Sequence, residues 1–360
     1  MKETVKRIVW AVGRPLVTIF VAVLIGALLV LPTGTSPLEA YGALLKGAFG
    51  SQVSIYNSLE RATPLLFTGL AATVAFKAGV FNIGIEGQLY MGAFAAALMG
   101  IYGAGLPRGI LIPLCILAAM AGGLLWAVIP GYLNTKLGIN LVVISIMMNN
   151  IGKLFTEYLC TYPFKGELPV SATAKLDEAA WMTRFSEKSS FNTFFFLGVL
   201  LAIVLYFVIF KTRFGYELRA LGLNERFTRY NGIDVKKRVI VVLLLSAAIG
   251  GLAGAEQVMG ANQRFYAGFS ADYGFTGITV ALLGGLNPLG VIIGAVFFGA
   301  LNSGAVQMEV MTNISRDLIS TLQAIMIMLL AIEYFGKPWI VRWLEKRKRK
   351  TEGGKAHGVS

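Results

Sequence analysis

Apolar runs about as long as a bilayer is thick recur along most of the chain. They occupy 15–32, 62–80, 88–104, 109–133, 139–160, 191–210, 239–258, 289–308 and 315–335. A bilayer-crossing helix needs about 20 mainly apolar residues, so each run predicts one. A shorter run, 274–286, leads into the turn-like Gly284-Gly285-Leu286-Asn287-Pro288-Leu289-Gly290 and predicts a tenth segment. The stretches 62–160 and 239–335 each hold four runs and a Gly/Asn-rich interruption, at 76–88 and 284–290. An odd number of crossings separates the two stretches, which predicts a repeat inverted in the membrane. Paired interruptions in such repeats point to a substrate pathway, although Gly and Pro are common in membrane helices anyway. The expected fold class is an all-α polytopic membrane protein with about ten transmembrane segments and two inverted repeats.

Charge tests the count of ten. The chain carries a formal +13, concentrated in three places: +3 over residues 2–14, +5 over 211–238 and +6 over 337–360. Basic clusters flanking apolar runs mark the cytoplasmic side. The loop at 161–190, with four basic and four acidic residues, is neutral and suits the opposite side. All three clusters fall inside only if 274–286 is counted. The expected organisation is a cytoplasmic N-terminus over 1–14, a transmembrane domain over 15–335 with a cytoplasmic loop at 211–238, and a basic cytoplasmic tail over 336–360. Both ends are placed in the cytoplasm of a multi-pass protein of the cell membrane. Because the positive charge tracks the spans, a nucleic-acid partner is not expected.

Composition agrees. Hydrophobic residues make up 56% and charged residues only 14% of the 360, against roughly a quarter charged in a soluble domain. The 42 glycines suit helices that approach closely in lipid. Cys115 and Cys160 imply neither a disulfide framework nor a metal site, and His357 is the sole histidine. A catalytic triad and a histidine-rich zinc site are thereby excluded, and no cluster of acid/base residues suggests an enzyme. The first run could mimic a signal peptide. Its exit, Leu31-Pro32-Thr33-Gly34, lacks a small-x-small cleavage site, so a retained helix is expected.

The 76–88 interruption carries the most chemistry. Backbone that leaves a helix at membrane depth must be buried in protein or line a water-filled cavity. Asn82, Glu86 and Gln88 offer polar side chains there, and a pairing of Lys77 with Glu86 is the bland alternative. Asn149 and Asn150 interrupt an apolar run. One is expected to bond a neighbouring helix and the other to face a cavity. Glu256 and Gln257 close the seventh run, where an outer-surface place would make them ordinary. Phe265, Tyr266, Phe269, Tyr273 and Phe275 follow. Such aromatics usually anchor at the interface, although they could stack on a planar ligand. Arg219–Ile233 reads as a short helix with Asn224 as N-cap and Gly232 as its stop. It could dock in a partner's groove or lie on anionic lipid. No GxxxxGK[ST] phosphate loop occurs, so an ATP-driven step would belong to another subunit.

The segment Gly79-Val80-Phe81-Asn82-Ile83-Gly84-Ile85-Glu86-Gly87-Gln88 resembles the signature of permease subunits of ABC importers for nucleosides and simple sugars. That branch is related to the ribose and branched-chain amino acid permeases. Ile139–Asn150, Arg219–Ile233 and Gly274–Gly290 resemble three further motifs in the same order. The chain departs from the pattern at Met148-Asn149-Asn150-Ile151, which has no aromatic after the first Asn, and at Phe275-Thr276-Gly277, which has no Asp after the Phe. The resemblance implies a type II importer-like fold and a translocation subunit that hydrolyses nothing and binds no cofactor. It further implies a second permease subunit (homo- or heterodimer), a cytoplasmic ATPase that holds ATP and Mg, and an extracytoplasmic substrate-binding protein or lipoprotein. Membrane lipid surrounds such a chain, and guanosine or another purine nucleoside is the favoured cargo. By residue, it implies a pathway formed by Phe81, Asn82, Glu86, Gln88, Asn149, Asn150 and Phe275. It places ATPase coupling on Asn224, Glu225, Arg226, Phe227, Arg229, Tyr230 and Gly232. The alternative reading is an ion-coupled secondary transporter with inverted repeats, which would need buried acidic groups.

Overall fold

The computed structural model describes residues 23–312 and, beyond them, 21, 314, 315, 317–321, 324, 325 and 328. The expected cytoplasmic ends at 1–14 and 336–360, the start of the first run and much of the tenth lie outside the described residues. Residues 38–312 belong to one compact unit, and 23–30, which lie outside it, are helical.

The compact unit is built from helices α1 (Pro37–Phe49), α2 (Gln52–Lys77), α3 (Ile85–Tyr102), α4 (Arg108–Leu137) and α5 (Leu141–Thr161). A two-stranded hairpin, β1 (Arg184–Ser186) and β2 (Ser189–Asn192), precedes α6 (Phe194–Lys211). Next come α7 (Arg213–Leu223), α8 (Glu225–Tyr230), α9 (Val235–Ala255), α10 (Tyr273–Leu283) and α11 (Pro288–Thr312). The chain is mostly helical as expected, and this short hairpin is an addition to that expectation. The polar turn around Glu187-Lys188 folds Phe185 back on Phe191, with ring centroids 5.2 Å apart, and α6 starts only at Phe194.

Among the described residues, α4, α6, α9 with its continuation to Asn262, and α11 are each long and apolar enough to cross a bilayer. Helix α10 is not. Its 11 residues span roughly 16 Å, about half the hydrocarbon thickness. Asp272, at φ 56°, starts it and the Gly284-Gly285 turn stops it.

Glycines set the packing at the centre. A Cβ on Gly251 of α9 would run into the Ala119 carbonyl of α4, and one on Gly254 into the Leu89 carbonyl of α3. Three backbones therefore touch directly, as small residues allow where lipid supplies no hydrophobic drive. Helix α10 runs along α2 in the same direction, with Gly277 against Thr68 and Val280 against Gly69.

Candidate functional site

The 76–88 interruption is a true break, but its polar residues lie on both sides of its end. Helix α2 stops at Lys77, residues 78–84 are non-helical, and α3 begins at Ile85, which puts Glu86 and Gln88 in its first turns. Gly79, at φ 72°, makes the first bend, a conformation that favours glycine.

Side chains from distant helices satisfy the freed backbone. Asn82 is fully buried. Its Oδ1 accepts from Gly84 N (3.0 Å) and from Gln88 Nε2 (3.3 Å), while its Nδ2 donates to Gln88 Oε1 (3.1 Å) and Ser246 Oγ (3.0 Å). The Ser246 hydroxyl then donates to the Ala71 carbonyl (2.8 Å), so this seam ties the break to α2 and α9. Asn149 of α5 does the same from the other side. Its Oδ1 accepts from Gly87 N and its Nδ2 donates to the Ile83 carbonyl, both at 2.9 Å. Unpaired backbone groups in a bilayer cost several kcal/mol each, which explains why amide side chains occupy these positions.

Glu86, also buried, accepts a 2.6 Å hydrogen bond from the backbone N–H of Gly274 in the first turn of α10. Helix α3 leads from Glu86 towards Gly100, whose carbonyl accepts from Asp177 N in the 162–193 loop. Helix α10 leads the other way, beside the later half of α2. The N-termini of two oppositely directed helices thus meet at one carboxyl group, and each end carries partial positive charge. The pairing of Glu86 with Lys77 does not occur. Lys77 Nζ lies 5.5 Å from the Phe210 ring centroid, because the break carries Glu86 back past the end of α2.

The expected pathway residues separate into two groups. Asn82, Glu86, Gln88 and Asn149 are buried and tied together around the break. Phe81, Phe275 and Asn150 are exposed in the single subunit. Among the described residues, Asn150 Nδ2 donates to the Ile146 carbonyl of its own helix. At helical spacing from it stand Lys153 and Glu157, also exposed. Sequence reasoning passed over this polar stripe on a membrane helix, although an i, i+3, i+7 count along α5 reveals it. Lys153 is near enough to Glu86 to act on it electrostatically.

Two further features depart from expectation. Glu256 and Gln257 are buried, 0% and 6% exposed, instead of lying at the outer surface. They open a π-helical turn, Glu256–Asn262, in which Glu256 Oε1 accepts from Asn192 Nδ2 (3.3 Å) and Oε2 from Gln257 Nε2 (2.7 Å). Arg184 caps the released carbonyls of Gly260 and Ala261. The 219–233 stretch is two elements, because Arg219–Leu223 belongs to α7. Helix α8 is capped by Asn224, whose Oδ1 accepts from Phe227 N (3.1 Å), and Gly232 follows at φ 78°. Glu225 and Arg229 pair at 2.9 Å, while Arg226, Phe227 and Tyr230 are exposed. The end of α7 reaches the break, since a Cβ on Gly222 would strike the Lys77 carbonyl and one on Gly79 would lie 3.3 Å from Gly222 Cα.

Residues 54–331 match the family described as branched-chain amino acid transport system / permease component. The chain belongs to this permease family. It is 34% identical over 328 residues to the guanosine ABC transporter permease protein NupP of Bacillus subtilis, covering 89% of this chain and 93% of that one. It is 32% identical to the nucleoside ABC transporter permease protein NupB of Lactococcus lactis, covering 89% and 90%. It is also 32% identical to the glucose ABC transporter permease protein TsgB13 of Haloferax volcanii, covering 92% and 90%. The permease is thus a multi-pass membrane protein of the ABC transporter class.

Proposed function

We propose that this permease is the translocation subunit of an ATP-driven importer for nucleosides, with guanosine or another purine nucleoside as cargo. The observation that carries this reading is the contact of Gly222 with the Lys77 carbonyl. It joins the exposed α7–α8 segment directly to the helix break, so a push on α8 reaches the polar seam without passing through a flexible loop. A second permease subunit, the same chain or a different one, faces this one across the pathway. Two cytoplasmic ATPases bind ATP and Mg beneath the pair, and an extracytoplasmic binding protein delivers the nucleoside. Both chain ends lie on the cytoplasmic side.

The exposed stripe of Asn150, Lys153 and Glu157 supports the pathway assignment. Charged side chains facing acyl chains are costly, so this face of α5 belongs against a water-filled path between subunits. Phe81 and Phe275 are exposed as well and are assigned to the same pathway, while Asn82, Glu86, Gln88 and Asn149 are tied together around the break. The two breaks, at 78–84 and 284–287, support the inverted repeat. The eighth crossing, over 274–286, is then completed by the irregular 263–272 stretch together with α10. Ion coupling lacks support from the acidic groups, because Glu86 and Glu256 are each held by hydrogen bonds within the chain.

Coupling falls on α8, with Arg226, Phe227, Arg229 and Tyr230 meeting the ATPase. Asn224, Glu225 and Gly232 shape that helix. The double change Arg226→Glu and Arg229→Glu should reduce co-purification of the candidate ATPase by about tenfold, while membrane levels stay normal. Tenfold corresponds to about 1.4 kcal/mol, a lower bound where buried like-charge juxtaposition costs several. Unchanged capture of the ATPase would remove α8 from the coupling role.

A further inference from the structure

A cavity of about 340 Å³ opens beside the π-helical turn, within the range of small-molecule sites. Its walls differ in kind. Tyr266, Phe269 and Tyr273 supply aromatic surface, while Glu60, Arg61 and Gln257 supply polar groups. We propose that this cavity is a recognition site for the base of a 6-oxopurine nucleoside, read by the Arg61 guanidinium and the Gln257 amide and stacked on the aromatic wall. The inference rests on the nucleoside reading above and gives that cargo a place and an edge-by-edge chemistry.

The aromatic wall is built before any ligand arrives. Phe269 packs on Tyr90 at 4.9 Å and on Phe265 at 5.3 Å, and Phe265 packs edge-on against Phe94. The 162–193 loop holds this cluster in place. Thr173 N donates to the Phe265 carbonyl, and Ala267 N donates to the Ser171 carbonyl. A fixed aromatic face stacks a planar base with little further ordering cost.

The polar wall is oriented too. Gln257 is 94% buried, the complement of its 6% exposure. One N–H of its amide is committed to Glu256, which Asn192 holds in turn. Its second N–H and its carbonyl oxygen have no partner among the described residues and are left for a ligand. The π turn puts Gln257, Ala261 and Asn262 on one wall of the cavity, and such turns recur at functional sites. Glu60 Oε2 accepts from Ser190 N (3.3 Å) and Ser189 Oγ (3.4 Å), which leaves Oε1 to accept from a ring N–H. Arg61 has no hydrogen-bond or ion-pair partner among the described residues. A planar guanidinium facing an aromatic cavity matches the paired acceptors O6 and N7 of a 6-oxopurine. A 6-aminopurine presents a donor at position 6 and meets the guanidinium unfavourably. A sugar offers no planar edge for the fork.

Because a binding protein imposes its own selectivity on uptake, the test uses direct binding. Equilibrium dialysis of tritiated guanosine against the permease–ATPase complex in nanodiscs, without the binding protein, gives affinities by competition with inosine and adenosine. The wild type should bind guanosine and inosine at least about tenfold more tightly than adenosine, the low end of what a bidentate base contact discriminates. Arg61→Lys keeps the charge and loses the fork. It should weaken guanosine by about tenfold and bring the guanosine-to-adenosine ratio close to one. Gln257→Leu is the second variant and should lower the same ratio. Equal weakening of all three ligands by Arg61→Lys would overturn the proposal, and so would an unchanged ratio or no binding by a wild-type complex that imports guanosine. Reduced capture of the binding protein by Arg61→Lys at an unchanged ratio would assign Arg61 to docking and also overturn it. A wild-type complex with no ATP-dependent uptake of any nucleoside would instead overturn the reading beneath it.

Discussion

Glu86→Ala is expected to lower nucleoside uptake by at least about tenfold while the protein remains in the membrane at wild-type levels. The carboxyl group bonds the start of α3 directly to the start of α10. Its removal strands the Gly274 N–H, and leaving a buried donor unpaired costs about 1–3 kcal/mol. That energy is local to the meeting point of two helix ends. The seam of Asn82, Gln88, Ser246 and Asn149 still holds the break, so the fold survives. Glu86→Gln keeps an acceptor oxygen at the same reach and should retain a larger share of transport. Uptake by Glu86→Ala at the wild-type rate, with equal expression, would remove this contact from the transport cycle.

Gly251→Leu is expected to abolish folded permease altogether. A Cβ at this position meets the Ala119 carbonyl, and a Cβ on Gly92 would in turn strike Gly251 Cα. The obstacle is backbone, so no rotamer change relieves it. Overpacking a core typically costs about 1–3 kcal/mol where side chains can shift, and more is expected where they cannot. The measurable outcome is loss of the monodisperse peak on fluorescence-detected size exclusion. Gly109→Ala, on the same helix as Ala119 but with open space around it, should elute like the wild type. A Gly251→Leu protein with a wild-type peak and melting point would contradict the direct backbone contact among α3, α4 and α9.

The pattern of residues and the folded chain agree most closely where local chemistry decides. Glycines and Asn82 announced the break after α2, because only a departure from helix makes use of them at that depth. Asn224 and Gly232 bracketed α8 for the same kind of reason, a cap and a left-handed stop being local demands. What escaped sequence reasoning depends on partners far along the chain. Glu256 is buried because Asn192, 64 residues away, accompanies it, and the π turn that carries it has no periodic signature. Glu86 bonds a glycine 188 residues away instead of the lysine nine positions before it. The α5 stripe could be found by spacing alone, but its meaning came from exposure. The cavity at Arg61 and Gln257 joins three separate segments, which only the fold brings together.

The central claim is ATP-driven nucleoside import through this permease. Its most direct test is uptake of radiolabelled guanosine into cells expressing the permease with its candidate partner subunit, ATPase and binding protein, with and without a Walker-motif mutation in the ATPase. The account predicts uptake that the mutation abolishes and that an ionophore leaves largely intact. Uptake that survives the mutation but collapses with the ionophore would contradict it and place the chain among ion-coupled carriers.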